Sequence, residues 1–255
     1  MNNLMKSPYL VFALSFFLMW LSVRLGVFFH KRRPKLEEGE RQDLDLIVAA
    51  TLTLLGLIIG FSFSMAIGRY DQRKNYEEAE ANAIGTEYVR ADLLPSVDAE
   101  RVRVLLIDYL DQRVLFYRNR DEHELHQINI RTAHLQTDLW SAVRTPSAAP
   151  PAPIFALLLS GMNDVLNSQG YTQAAWWNRI PIAAWGLMAT VAVFANLLVG
   201  YAARSARGGV IRFLVLPFVL AIAFLLIADI DSPRQGIIRV RPQNLISVAQ
   251  SLHGQ

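Results

Sequence analysis

The sequence predicts an all-α integral membrane protein with four transmembrane helices and a helical extramembrane domain between the second and the third. Two observations support this fold class. Hydrophobic residues make up 53% of the 255 residues, but they are concentrated in four runs. The segment between the second and third runs is rich in charge, and its apolar positions recur at helical spacing.

The four runs are matched to the thickness of a membrane. A bilayer core of ~30 Å needs roughly 20 apolar helical residues. The expected helices cover residues 9–29, 46–67, 180–201 and 211–230. The fourth run is shorter than the others, but the flanking Arg212 and Asp229 can reach toward the head groups. Basic residues follow the first run without a cleavage site, so we expect a retained helix and not a signal peptide.

These helices divide the chain into four parts. The first transmembrane pair covers 1–68, the helical domain 69–179, the second pair 180–230 and a tail 231–255. Within the domain, amphipathic stripes predict two helices before a Pro/Ala-rich linker, and a further helix after it that ends near Gly170. The tail is expected to form one or two weak amphipathic turns.

The second helix is predicted to continue far beyond the membrane. Residues 46–94 contain no proline, and as one helix they would be ~70 Å long at 1.5 Å per residue. A bilayer accounts for less than half of that length. We therefore expect the remainder to project into water as a rod, with solvated charged side chains at Arg69, Asp71, Arg73, Lys74, Glu77 and Glu78.

Small residues recur on one side of this helix. Gly56, Gly60, Ser64 and Gly68 are spaced by four and form what we call the small-residue ladder. One interpretation is a packing surface within the subunit or between copies. The other is that the ladder lines a narrow path, with Phe61 and Phe63 forming an apolar constriction that gates by dewetting. Several copies packed around an axis would satisfy both.

Two stretches resemble a known family. "GFSFSMAIGRYDQRKNYEEAEANAIGTEYVRADLLP" is similar to the signature of the bacterial bestrophin-like domain family, four-helix membrane proteins of unestablished function. "DIDSPRQGIIRV" resembles the C-terminal motif of that family. The resemblance extends over residues 45–240. It marks a post-helix motif (Arg69, Tyr70, Asp71, Arg73) and a C-terminal motif (Asp229, Asp231, Arg234).

The resemblance implies a candidate function. Bestrophins are pentameric anion channels whose second helix builds the pore and its apolar constriction. By this likeness Phe61, Phe63 and Ser64 line the path, the partners are membrane lipid, four or five copies of the chain and an inorganic anion, and the location is the bacterial inner membrane. The alternative is a non-conducting scaffold or stress sensor whose helical domain binds a partner. A ring of four or five copies would favour the channel over the scaffold.

Other functional classes have little support. The chain has no cysteine and lacks a phosphate-binding loop, a zinc-binding His-Glu-x-x-His motif and a nucleophile with a base, so we expect neither an enzyme nor a cofactor. A net charge of +3, with basic residues next to helix ends, gives no indication of nucleic-acid binding. No metal site is expected. Asp229 and Asp231 are interpreted as groups that terminate and cap the fourth helix or pair with a nearby Arg, and His123, His126 and His134 as a solvated face.

The side of the membrane on which the domain lies has two competing indications. Counting Lys and Arg near helix ends gives a tie of about eight per side. The basic group "HKRRPK" after the first helix, against the single Lys6 before it, weakly places the domain and both termini outside. The likeness to bestrophins places the domain in the cytoplasm.

Overall fold

The structure is a computed structural model that describes residues 7–32, 37–147, 150–203 and 212–254, apart from the side chain of Arg212. Within these ranges there are eight α-helices, a 3₁₀ turn at Ala91–Leu93 and no strand, which confirms the all-α prediction. The helices are α1 Pro8–Arg32, α2 Glu38–Arg90, α3 Ser96–Arg118, α4 Glu122–Arg144, α5 Ala152–Trp177, α6 Ile182–Tyr201, α7 Arg212–Asp231 and α8 Gln243–His253.

Two helix boundaries differ from the expected ones by seven or eight residues, and the structure of the tail also differs. The second helix begins at Glu38, well before the predicted residue 46, because the acidic side chains of Glu38 and Glu40 in its first turn favour a helix N-terminus. The prediction that a helix ends near Gly170 was wrong. The exposed Gly170 does not end the helix, because Thr172, Ala175 and Trp176 beyond it are buried, and α5 continues to Trp177. The tail forms an eleven-residue helix, α8, in place of one or two turns.

Four helical stretches of the described chain are long and apolar enough to cross a membrane. They are α1, the apolar part of α2, the stretch that includes α6, and α7. The chain is therefore a multi-pass membrane protein.

The chain folds as two compact units, each made from two segments of sequence. One, called the membrane unit here, comprises the described residues of Met1–Arg69 and Arg179–Arg239. The other, called the helical unit, comprises those of Tyr70–Asn178 and Val240–Gln255. The helix α2 contributes its first part to the membrane unit and its second part to the helical unit.

In the membrane unit, α1 packs along α6 and α7. The closest approach is a crossing at two glycines. A Cβ atom on Gly26 would overlap the carbonyl oxygen of Leu197, and one on Gly200 would overlap the carbonyl oxygen of Val23. Glycine at both positions therefore allows the backbones of α1 and α6 to touch.

The helical unit has a conventional apolar core. The second part of α2 packs with α3, α4, α5 and α8 around fully buried side chains such as Ile84, Leu106, Leu139, Leu158 and Leu245. Asp121 caps α4, because its carboxylate accepts hydrogen bonds from the backbone N–H groups of His123 (2.8 Å) and Glu124 (3.0 Å).

Candidate functional site

The small-residue ladder of α2 is exposed. Gly56, Gly60, Ser64 and Gly68 all lie on the surface of the single chain. A Cβ atom built on any of the three glycines would meet no described atom within 4 Å. No neighbouring helix of the described chain therefore packs on the ladder, and the close helix contact of the membrane unit is at Gly26 and Gly200.

The packed side of the same helix segment lies opposite the ladder. Leu55, Ser62 and Ala66 are its buried residues, and they follow one another at seven and four residues. Since successive helical residues are rotated by about 100°, the centre of the ladder lies roughly 160° from the centre of this buried stripe. The ladder is thus the face of α2 directed away from its own chain.

The two predicted constriction residues lie on either side of the ladder. The ring of Phe61 is 69% exposed, whereas Phe63 is half-buried. Their positions correspond to roughly 100° around the helix from the buried stripe, in opposite directions. Both rings therefore flank the small residues and do not cover them.

The post-helix motif is divided between different environments. Arg69 Nη1 lies 3.9 Å from Asp231 Oδ1. Tyr70 packs against the core of the helical unit, and Asp71 is exposed. Arg73 is 1% exposed and donates from Nε to the carbonyl oxygen of Ala175 (3.1 Å) and from Nη2 to that of Asn178 (3.2 Å).

The sequence predicted the solvation of two charged residues wrongly, and that of Arg69 only in part, because its side chain is half-buried. Arg73 and Glu77, expected to be solvated, are each 1% exposed. Arg73 satisfies carbonyl groups at the C-terminal end of α5, where the helix dipole favours a cation. Glu77 accepts from Asn244 Nδ2 (2.7 Å) and the Leu245 backbone N–H (3.0 Å) in the first turn of α8, where anions are favoured.

The C-terminal motif is a folded turn held by carboxylates. Asp229 accepts hydrogen bonds from the backbone N–H groups of Ile237 and Ile238, each at 2.8 Å. A Cβ atom on Gly236 would overlap the carbonyl oxygen of Asp229, so the turn requires glycine there. Asp231 is the last residue of α7 and accepts from the Ile180 N–H at 3.0 Å, while Arg234 is half-buried. Both aspartates thus act as backbone-binding groups at the end of α7.

No metal site is assembled by the described residues. No three His, Asp or Glu side chains among them lie close enough to hold an ion. His123, His126 and His134 are all exposed on α4.

A buried ion pair in the helical unit was missed by the sequence analysis. Glu80 and Arg113 are both 0% exposed and form a direct ion pair. Tyr117 Oη and Thr172 Oγ1 donate to Glu80 Oε2, at 3.3 and 3.2 Å. Burial raises the pKa of the Tyr117 phenol above its ordinary value. A detectable signal was present, because Arg73, Glu77 and Glu80 share one helical stripe with the apolar Ile84.

A second buried carboxylate has weaker partners. Glu87 lies on α2, twenty residues beyond the predicted membrane run, and is 0% exposed. A Cβ atom on Gly161 of α5 would overlap Glu87 Oε2, so the two helices touch at this carboxylate. Burial raises the pKa of Glu87 to about 7, against the opposing charge of Arg90, whose Nη1 is 3.7 Å from Oε2. Asp164 raises it slightly further.

Comparison with known proteins supports one family over most of the chain. The family model described as the Bestrophin-like domain matches residues 16–245. The comparison with curated proteins gives no match.

Solved structures agree with this at the level of the fold. The chain is similar to crystal structures of a bacterial bestrophin homologue from Klebsiella pneumoniae, each with a single mutation. One has a TM-score of 0.65 at 11% identity and covers 96% of this chain and 99% of that chain. Another has a TM-score of 0.66 at 12% identity, and the match covers 95% of this chain and 98% of that chain.

Proposed function

The chain belongs to the bestrophin-like domain family, and on this basis we propose that it is an oligomeric ion channel in which the second helices of several copies surround the path of the ion. The proposal includes a homo-oligomer of four or five copies in the bacterial inner membrane and an inorganic anion as the conducted ion. It assigns no catalytic residue, metal or cofactor.

The exposed small-residue ladder is the observation that carries the proposal. The apolar part of α2 is long enough to cross a membrane, yet its small-residue ladder has no neighbour within the described chain. A face of Gly56, Gly60 and Ser64 leaves room along an axis, whereas leucine or phenylalanine at these positions would fill it. Phe61 and Phe63 at its margins are suited to an apolar constriction, which opposes ion passage when it is dry.

Flux from liposomes tests the proposal. The purified full chain is reconstituted, and chloride and potassium efflux are followed separately. We expect chloride efflux in excess of potassium efflux, and a loss of roughly tenfold or more in Ser64→Trp because the indole fills the path. Met65→Trp is the matched control, since the neighbouring position has the same depth but faces about 100° away from Ser64. Size-exclusion chromatography verifies that the oligomer survives in both variants.

Each outcome has a defined meaning. Efflux that persists in Ser64→Trp would contradict the ladder as the wall of the path. Potassium efflux in excess of chloride would contradict the anion preference alone. Efflux no greater than from empty liposomes, at any pH or calcium concentration, would favour the non-conducting scaffold or stress sensor.

We place the helical unit in the cytoplasm, following the family. The charge count that opposes this is a tie, and it leans outside only through the basic group after the first helix. Because the chain contains no cysteine, single reporters can be introduced cleanly.

Labelling in intact cells tests this orientation. Arg120→Cys, exposed in the helical unit, should react with an impermeant maleimide only after permeabilisation. Lys31→Cys, exposed in the last turn of α1, should react without permeabilisation. The reverse pattern would place the helical unit outside.

A further inference from the structure

The membrane unit contains an apolar groove that the conduction proposal does not use. It lies between α1 and α6, is closed on one side by Phe224 of α7, and encloses about 330 Å³. Its walls include Leu14, Leu18, Ile182, Gly186 and Ala189. The hydroxyl of Ser15, which also lines it, already donates to the carbonyl oxygen of Phe12 at 3.1 Å. The groove therefore offers a ligand only apolar contact.

The groove runs along the helices. Its α1 residues extend from Val11 to Met19 and its α6 residues from Ile182 to Val193. At 1.5 Å per residue the α1 wall alone is about 12 Å long. Gly186 widens the groove, because a Cβ atom there would meet nothing within 4 Å. A long, narrow and wholly apolar groove on membrane-spanning helices matches an extended hydrocarbon chain, which is as apolar as leucine.

Charged groups lie just before the start of α6. Arg179 Nη2 donates to Ser232 Oγ at 3.1 Å, and Arg179 is three residues before the groove residue Ile182. Arg69 Nη1 is buried and has no hydrogen-bond partner among the described residues, although Asp231 Oδ1 is 3.9 Å away. The end of α7 and the turn after it add Asp229, Arg234 and Arg239, so these segments carry four guanidinium groups and two carboxylates, a net positive charge. Guanidinium groups are well suited to bind phosphate oxygens.

We propose that this groove binds one acyl chain of an anionic glycerophospholipid from the surrounding bilayer, with the phosphate held by Arg69 and Arg179. The apolar groove and the positive cluster are independent observations, and an anionic phospholipid satisfies both. The inference does not depend on conduction. A second copy of the chain, the other possible occupant, would not require the positive charge at the groove's end.

Native mass spectrometry of the detergent-purified full chain tests the site. The probes are palmitoyl-oleoyl phosphatidylglycerol and the zwitterionic phosphatidylcholine with the same chains. Wild-type protein should retain phosphatidylglycerol preferentially. Gly186→Leu should lower its occupancy roughly fivefold or more, because leucine replaces the methylene contacts of the acyl chain. Arg179→Gln should reduce the preference over phosphatidylcholine by roughly fivefold, the effect of one basic residue near an anionic head group.

Ala183→Leu is the matched control, since it adds the same bulk to an exposed position of α6 outside the groove. It should leave lipid retention unchanged. Circular dichroism verifies folding, and Ala189→Leu, on the same wall, replaces Gly186→Leu if that variant does not fold. The proposal would be overturned if Gly186→Leu retained phosphatidylglycerol, with or without dissociation of the oligomer. It would also be overturned if Ala183→Leu lost as much phosphatidylglycerol as Gly186→Leu.

Discussion

Arg69 Nη1 lies 3.9 Å from Asp231 Oδ1, so the end of the membrane part of α2 meets the last residue of α7. The same Asp231 carboxylate accepts a hydrogen bond from the Ile180 N–H at 3.0 Å, immediately before α6. Three separate segments of the membrane unit therefore converge on one side chain. One residue of the post-helix motif, Arg69, thus meets one residue of the C-terminal motif, Asp231, although the two motifs were recognised separately in the sequence.

Removing the Asp231 carboxylate should lower the stability of the chain more than removing the Arg69 guanidinium. Asp231→Ala leaves the buried Ile180 N–H unsatisfied, which costs about 1–3 kcal/mol. Arg69→Gln removes an ion pair without a direct hydrogen bond, which is worth at most about 1 kcal/mol. Thermal unfolding in detergent should give a lower midpoint for Asp231→Ala than for Arg69→Gln, and no change for the exposed Asp71→Asn. Equal midpoints for the first two variants would show that Asp231 acts only through Arg69.

Two glycine-to-alanine changes should have opposite effects on the folded chain. Gly26→Ala places a methyl group into the carbonyl oxygen of Leu197, so α1 and α6 must separate and the unfolding temperature should fall by several degrees. The added methyl group of Gly56→Ala meets open space. The unfolding temperature should stay the same or rise, since alanine stabilises a helix by roughly 0.5–1 kcal/mol relative to glycine.

Two alanine variants of the ladder separate packing within the chain from packing between copies, because neither Cβ atom meets another part of the described chain. Size-exclusion chromatography of Gly56→Ala and Gly60→Ala reports on the oligomer. A destabilised Gly56→Ala monomer would contradict the open surface described for the ladder.

Removing one partner of the Glu80–Arg113 pair should strongly lower the free energy of unfolding. Arg113→Met leaves the fully buried Glu80 carboxylate without its counter-ion, at a cost of about 3–5 kcal/mol. The double variant with Glu80→Met removes both charges and should recover much of that loss, because apolar side chains can replace a buried pair. Urea denaturation followed by circular dichroism measures both. A double variant as unstable as Arg113→Met would indicate that Tyr117 and Thr172 also require the carboxylate.

Glu87 should make stability depend on pH. Its pKa is raised from 4.5 to about 7 in the folded chain, so the folded state binds the proton more tightly than the unfolded state. The contribution of Glu87 to stability is therefore fully present below pH 4.5 and is lost as the pH rises toward and through 7, by on the order of 3 kcal/mol at most.

Glu87→Gln provides the comparison for this effect. The variant keeps the shape but cannot ionise, so its melting temperature should fall less than that of wild type between pH 5 and 8. Arg90 on α2 and Asp164 on α5 are the charged groups that act on this carboxylate, and both are unchanged in the variant. Parallel curves for the two proteins would assign the pH dependence to other groups.

The sequence was sufficient for the four apolar spans and for the continuation of α2 beyond the membrane run, because composition and uninterrupted helical periodicity are local properties. It could not predict the partners of the buried charges. Arg73 and Glu77 read as solvated because they follow the membrane run amid other charged residues, and only the folded chain brings the ends of α5 and α8 to them. The spacing of the ladder predicted a packing surface or the wall of a path, and within the described chain no helix packs on it. The touching glycines are Gly26 and Gly200, one on each of two distant helices.

The division of each unit between two sequence segments has a consequence for biosynthesis. A ribosome completes Tyr70–Asn178 long before Val240 and α8 emerge, so Glu77 must remain without the amide groups of Asn244 and Leu245 while α6 and α7 are still being inserted. The membrane unit is equally incomplete until Asp231 has been made. Neither unit can finish folding as its first segment is translated, and assembly is therefore predominantly a late event.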